Sequence, residues 1–273
     1  MAGISNGRGA GPDADEQAVH DHAHAADSAG NPWAGRTFDA HDTTFTEDDG
    51  LADPALVAAI TAVADGGSHA AVVAALRTAR LLIPLVAEAG DVGETPDGRI
   101  VDKTQELSIV TVAGPDGRAV MPAFTSVEAM RAWDADARPI PVESRRVAMA
   151  AASEDTQLVV LDPTATTEFV LRRPAVWALG QDLPWTPCSE DPEVARAFAG
   201  TIETEPAVVR VELSPGDPLS RFAGPELTVG LRLVAGLDRE QIGELVGRLQ
   251  QRWATDPVIA ERVDSMRVAL RAA

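Results

Sequence analysis

Between Leu81 and Gly180 the chain writes one pattern twice: strand, turn, strand, helix, with a tryptophan near the end. The first copy runs Leu107–Ala113, the turn Gly114-Pro115-Asp116-Gly117, Arg118–Phe124, and a helix from Thr125 to Trp133. The second runs Gln157–Leu161, a turn over Asp162–Thr166, Thr167–Leu171, and a helix from Pro174 to Leu179. In the first turn Pro presets φ and Gly accepts positive φ, so two apolar runs separated by it read as a hairpin. Thr125 with Glu128 three residues on reads as a capping box, and Val127, Met130 and Trp133 give the helix an apolar side. Two hairpin–helix units in succession call for a mixed or antiparallel sheet with helices against it, an α+β fold.

The flanking segments extend that plan. Asp53-Pro54 is a helix start, with Asp as N-cap and Pro at the first helical position. Leu56, Ile60 and Val63 keep helical spacing up to Gly66-Gly67, and Ser68 caps a second helix carrying Val72, Val73 and Leu76. Leu81–Val86 follows as a strand, placed near an edge by Pro84, which has no N–H to donate. Residues 87–105 read as a polar loop, Arg138–Pro141 as an extended link, and Val142–Ala151 as a helix. Pro174 opens the second short helix and Gly180 ends it. Asp191-Pro192 starts another helix, and Thr201–Pro206 reads as a linker.

Beyond it Ala207–Leu213 and Glu226–Val234 alternate as half-buried strands do. Asp238 caps an amphipathic helix bearing Ile242, Leu245, Val246, Leu249 and Trp253. Asp256-Pro257 starts a short helix. Ser265–Arg271 alternates like a strand, although its Ala, Arg and Leu also favour helix. The expected organisation is a tail over residues 1–50, an α+β domain over 54–200, and a small α+β domain of order β-β-α-α-β over 207–273. Trp133, Trp177 and Trp253 lie on apolar helix faces and are expected in the core.

Composition narrows the function classes. Of 273 residues, 45% are hydrophobic but only 4% aromatic, so the core is built from Ala, Val, Leu and Ile. Net charge is −19. Residues 1–53 hold 11 acidic side chains against Arg8 and Arg36, leaving −9 there and −10 in the rest. That surface repels phosphate backbones and anionic bilayers, which argues against nucleic-acid or membrane partners. Residues 1–50 lack an apolar period and are expected to be disordered. Within that stretch, Trp33 and Phe38 stand out as the docking residues of an otherwise polar tail. The single cysteine, Cys188, rules out an intrachain disulfide, and the N-terminus lacks a signal-peptide pattern. No apolar run approaches the roughly 18 residues of a spanning helix. A cytoplasmic setting is expected.

No catalytic pattern emerges. Cys188 invites a nucleophile reading, but the only histidine after residue 54 is His69, and no cation is adjacent to lower the thiol pKa. A packed thiol is the simpler account. Gly-x-Ser-x-Gly, P-loop and Gly-x-Gly-x-x-Gly motifs are absent. Lys103, the sole lysine, sits in a polar loop. His20, His22 and His24 are metal-ligand types, but their alternation in a structureless tail fits adventitious affinity better than a built metal centre. Neither an enzyme nor a cofactor is expected. Two candidate sites remain. Pro184, Trp185 and Pro187 put an aromatic on a stiff loop suited to protein contact, although packing of Trp185 into the body is the simpler account. Arg145-Arg146 and Arg172-Arg173 would bind an anion or acidic peptide if they converged, or else pair with internal carboxylates.

Val120–Met130, with Pro122-Ala123-Phe124-Thr125-Ser126 at its centre, resembles the bacterial SseB family, named for enhanced serine sensitivity. The resemblance continues at the turn Leu161-Asp162-Pro163, at Trp185-Thr186-Pro187, and in Leu227–Leu270, which is similar to the family's smaller C-terminal domain. It covers residues 54–273. It implies a cytoplasmic protein without an established activity or cofactor. The Trp-bearing loops and the lack of a catalytic constellation point to action through contacts with an unknown protein partner. The alternative is a small-molecule or anion sensor tied to amino-acid or sulfur metabolism, a link carried by the family name.

Overall fold

The computed structural model describes residues 45–85, 92–94, 100–102, 110–153 and 156–272. The His20–His24 cluster, Trp33, Phe38 and Lys103 lie outside the described residues. Helix α1 (Pro54–Val63) starts where the sequence says: Asp53 accepts from the N–H groups of Ala55 and Leu56. Helix α2 (His69–Leu76) is capped by Ser68, and Gly66 supplies the positive φ of +85° that turns one helix into the next. Leu56, Ile60, Val63, Val72, Val73 and Leu76 bury one shared face.

Strand β1 (Arg80–Leu85) pairs antiparallel with β6 (Arg138–Glu143), so the expected link is a strand. Pro84 faces Pro139 across the pair, each at a position where a missing N–H is tolerated. Pairing carries the strand through Val142 and Glu143. Helix α4 (Ser144–Ser153) therefore starts two residues later than the expected Val142, with Ser144 Oγ donating to the Ala79 carbonyl at 2.8 Å. Short strands β2 (Val92–Glu94) and β3 (Ile100–Asp102) pair within the expected loop.

The repeated units form one four-stranded sheet: β4 (Val112–Ala113), β5 (Ala119–Ala123), β7 (Val159–Leu161) and β8 (Phe169–Leu171), in that order. Each hairpin is antiparallel, and the hairpins join through the parallel pair β5–β7. Mutual Leu82–Phe124 backbone bonds of 2.8 and 2.9 Å tie β1 to the end of this sheet. The two units are also locked at Asp162, which is fully buried. Its carboxylate accepts from Thr125 N, Thr125 Oγ1 and Thr167 Oγ1, each at 2.7 Å. That contact corrects the capping box. Thr125's hydroxyl is taken by Asp162, so Ser126 caps α3 (Val127–Trp133) by accepting from Ala129 N.

Helix α5 (Arg173–Gly180) packs Ala175, Val176 and Leu179 inward. Trp177 falls on the opposite side of the 3.6-residue turn and is 37% exposed, which corrects its expected place in the core. Trp133 is half-buried against Phe124, and Trp253 is buried against Phe198.

The C-terminal strands β9 (Val208–Pro215), β10 (Leu227–Leu233) and β11 (Met266–Ala272) form a sheet of order β11-β10-β9. β11 settles the ambiguity as a strand parallel to β10. Helices α7 (Arg239–Thr255, with a full Asp238–Gln241 capping box) and α8 (Pro257–Arg262) complete the β-β-α-α-β order. Their core also takes in Cys188, Val194 and Phe198, the last two from α6 (Pro192–Ile202). The expected linker is structured too. Thr201 and Ile202 end α6, and the buried Glu205 holds Arg248 and Arg252 at 3.0 and 2.9 Å. The described residues from Glu47 onward form one compact unit.

Candidate functional site

After α5 the backbone folds back on itself. Asp182 adopts φ +57°, its carboxylate accepts from Arg77 Nε at 2.7 Å, and Leu183 N donates to the Ala178 carbonyl at 2.8 Å. This reversal holds Leu183 and Pro184 out in solvent, Leu183 at 50% exposure. Trp185 is half-buried against the first core. Trp177, Leu183, Pro184 and Trp185 then line a groove of about 250 Å³. Met149, 54% exposed, sits next to Gly180 at the same end of α5. The groove's charged rim is satisfied internally: Arg262 reaches Asp191 at 2.8 Å and Glu193 at 2.6 Å. Arg173 lies 5.5 Å over the Trp177 ring and donates to the carbonyls of Ala260, Glu261 and Val263.

Beside the groove runs a buried ionic seam. Arg172 donates to Asp217 at 2.9 Å, to the Gly224 carbonyl at 2.6 Å and to Asp264 at 3.4 Å. Arg118 grips Asp264 with two bonds of 2.9 and 3.1 Å. The side chains of Arg172, Asp217 and Asp264 are 4%, 3% and 2% exposed. Burial alone would raise the Asp264 carboxyl, but Arg118 and Arg172 outweigh it and hold it below the usual range. Glu226 lies behind them with its carboxylate accepting from Asp264 N at 2.7 Å. Burial pushes this carboxyl up to about 7, with the Asp264 charge adding to the effect.

The arginine candidates do not make one site. Arg145 Nε donates to the Gly180 carbonyl at 3.0 Å, at the far end of α5 from Arg172 and Arg173. An eight-residue helix puts those ends about 10 Å apart. Arg146 pairs with Glu143 at 3.8 Å.

Residues 55–178 match the family model described as SseB protein N-terminal domain. The chain carries an SseB N-terminal domain. Comparisons with curated proteins and with solved structures gave no match. The SseB domain runs from α1 to Ala178, so it includes Trp177 and stops before the loop that brings Leu183, Pro184 and Trp185 alongside.

Pro187, the third loop candidate, is buried and does not line the groove. It lines a second cavity of about 30 Å³ with His69, Arg172, Cys188, Asp217, Glu226 and Trp185, the last of which lines both. That volume holds a water molecule, not a substrate. The fold does bring Cys188 and His69 to one cavity, which their sequence separation hides. Yet burial and the neighbouring Glu226 carboxyl raise the Cys188 thiol well above its ordinary value, opposite to what a nucleophile needs. His69 commits Nε2 to the Pro218 carbonyl at 2.8 Å and stacks edge-on to Phe169. Among the described residues, no group of three or more His, Cys, Asp or Glu is placed to hold a metal ion, and no helix is long and apolar enough to cross a membrane.

Sequence reading missed Asp217, Glu226 and Asp264. Each is a lone acid near a turn, with no spacing that sets it apart from surface charge. Trp177 and Leu183 were legible as apolar residues but not as exposed ones.

Proposed function

We propose that this SseB-domain chain is a non-catalytic protein that acts by holding an apolar segment of a partner protein in the groove of Trp177, Leu183, Pro184 and Trp185. The observation that carries this reading is the joint exposure of Trp177 on α5 and Leu183 on the hydrogen-bonded loop that follows it. Large apolar groups held in water are costly, and a rigid aromatic pair loses little entropy on binding. The groove's volume of about 250 Å³ is smaller than the roughly 300–1,000 Å³ of ligand pockets. It suits one or two side chains from a protein. On its rim Arg262 already pairs with Asp191, and the further charge there, Glu261, is acidic, so the rim does not recruit an anion.

The second reading is a small-molecule or anion sensor. Its support is an open hollow of about 390 Å³ at Phe222, Pro115 and Gly224, which is of ligand size. Arg118 and Arg172 lie against that Phe222 ring but spend their donors on Asp116, Asp217 and Asp264, so the acids outnumber the cations and an anion gains little.

Leu183→Asp separates the two. Leu183 is half in water, so the variant keeps wild-type thermal stability. Titration against the partner isolated with the wild-type chain is expected to show affinity at least about tenfold weaker, as for loss of a central contact. Unchanged affinity would overturn the groove assignment.

A further inference from the structure

We infer that the solvated face of the β9–β10–β11 sheet is a second interaction surface, built to take an acidic polypeptide segment. Leu227, Val229, Leu231 and Leu233 of β10 are buried against the helices, so the alternate residues Thr228, Gly230 and Arg232 turn to the opposite face. The register then fixes their neighbours. Arg210 lies opposite Arg232, and Arg232 lies opposite Arg271. Three arginines therefore form one row across all three strands. Arg267 stands on the same face, its Nε donating to Thr228 Oγ1 at 2.9 Å. Between Arg267 and the row lie Glu212, Gly230 and Ala269, two of which leave a shallow floor with no side chain beyond Cβ.

The charge on this face is out of keeping with the rest of the chain. Four arginines and one carboxylate give +3 in a protein of net −19. The carboxylate, Glu212, is shared by Arg210 at 3.3 Å and Arg232 at 3.8 Å. Neighbouring strands are only about 4.8 Å apart, and like charges set directly opposite destabilise a sheet. A face selected for solubility alone would intersperse the signs, as the paired arginines at Glu205, Asp191 and Asp264 do elsewhere. The row thus costs the fold stability that a bound anion returns.

The chemistry of the face selects among anions. A guanidinium fork matches a carboxylate or phosphate in two parallel hydrogen bonds. The face carries no aromatic ring on which a nucleobase stacks, and the surrounding negative charge repels a long polyanion. A short segment with several Asp or Glu meets the row while its backbone lies over Gly230 and Ala269. This surface uses none of the groove residues and does not rest on the groove reading.

The test uses the full chain and four fluorescent or calorimetric probes at low ionic strength: a ten-residue peptide with alternating Glu, its Lys counterpart, a single-stranded DNA decamer, and inorganic phosphate. The Glu peptide is expected to bind, to weaken as salt rises, and to bind about tenfold or more weakly to Arg232→Glu. Glu212→Gln, which frees two guanidinium groups, is expected to bind it more tightly. Leu183→Asp should bind it as the wild type does. The melting temperature of Arg232→Glu should match or exceed the wild type, since the substitution relieves the like-charge row, which separates lost binding from lost folding. Equal Glu-peptide binding by wild type and Arg232→Glu, or no binding to either, would overturn the assignment. So would tighter binding of the DNA decamer than of the Glu peptide, or phosphate binding as strongly as the peptide, since each replaces a polypeptide ligand with another anion.

Discussion

Replacing Arg172 with methionine is expected to destabilise the protein by about 3–5 kcal/mol, the usual consequence of removing one partner from a buried ion pair. Methionine keeps most of the apolar stem but strands the Asp217 carboxylate, which is 3% exposed, and the Gly224 carbonyl. Asp264 would keep Arg118, so the loss centres on Asp217. The denaturation midpoint in urea reads the change, with an unaltered slope showing that the unfolding unit is the same. Arg172→Met combined with Asp217→Asn is expected to lose clearly less than the two single losses summed, because the second substitution removes the orphaned charge. A loss below about 1 kcal/mol for Arg172→Met would mean that the seam is as well solvated as a surface pair. The consequence reaches the fold as a whole. Arg172 immediately precedes α5, while Asp217, Gly224 and Asp264 flank the C-terminal strands, so this one guanidinium fastens the SseB domain to the sheet that follows it.

Glu226→Gln is expected to stabilise the protein, and only above mildly acidic pH. The folded carboxyl titrates near 7 against an ordinary value of 4.5. Below pH 4.5 both folded and unfolded states hold the proton, and the group is neutral in its effect. Between 4.5 and 7 the unfolded chain releases the proton while the folded chain keeps it, so stability falls as pH rises. Above 7 the penalty levels off at about 3 kcal/mol, from two and a half pH units at 1.36 kcal/mol each. Glutamine keeps an oxygen to accept from Asp264 N and carries no charge to desolvate. Carboxylates with lowered pKa values, such as Asp264 and Asp191, push the pH profile the other way, but they are common to both proteins. The informative quantity is therefore the stability difference between variant and wild type at pH 4 and at pH 8. It should open across the interval. A difference that is constant with pH would show that Glu226 is hydrated in the folded state.

What the sequence made legible was local. Asp53-Pro54, Ser68 and the Asp238 cap act within one helical turn, and the structure keeps each. Gly117 takes the positive φ its hairpin turn needs, +83°. The alternation in Leu227–Leu233 marks a half-buried strand whatever lies around it. Thr125 shows the limit: its spacing to Glu128 is a good cap, but Asp162 from the second unit claims its hydroxyl, and the cap moves to Ser126. Trp177 shows another. Aromatic content at helical spacing suggests a core position, yet which third of α5 faces inward is decided by α4 and the shared core it packs on. The arginine row on the C-terminal sheet is invisible in the linear chain because Arg210, Arg232 and Arg271 become neighbours only through strand register. Glu226 carries no motif at all. Its raised pKa comes from burial, which tertiary packing alone creates.

If the groove at Trp177, Leu183, Pro184 and Trp185 seats a partner protein, a crosslinker placed in it captures that partner. The most direct measurement places a photo-crosslinking amino acid at position 183 in cells, with the same group at exposed Gln250 on α7 as reference. A partner seated in the groove predicts a discrete protein adduct from 183 that is absent from 250, and loss of that adduct when Trp177 is also changed to Ala. The same pattern of adducts from both positions, an adduct to a second copy of this chain alone, or an adduct that survives Trp177→Ala would contradict it.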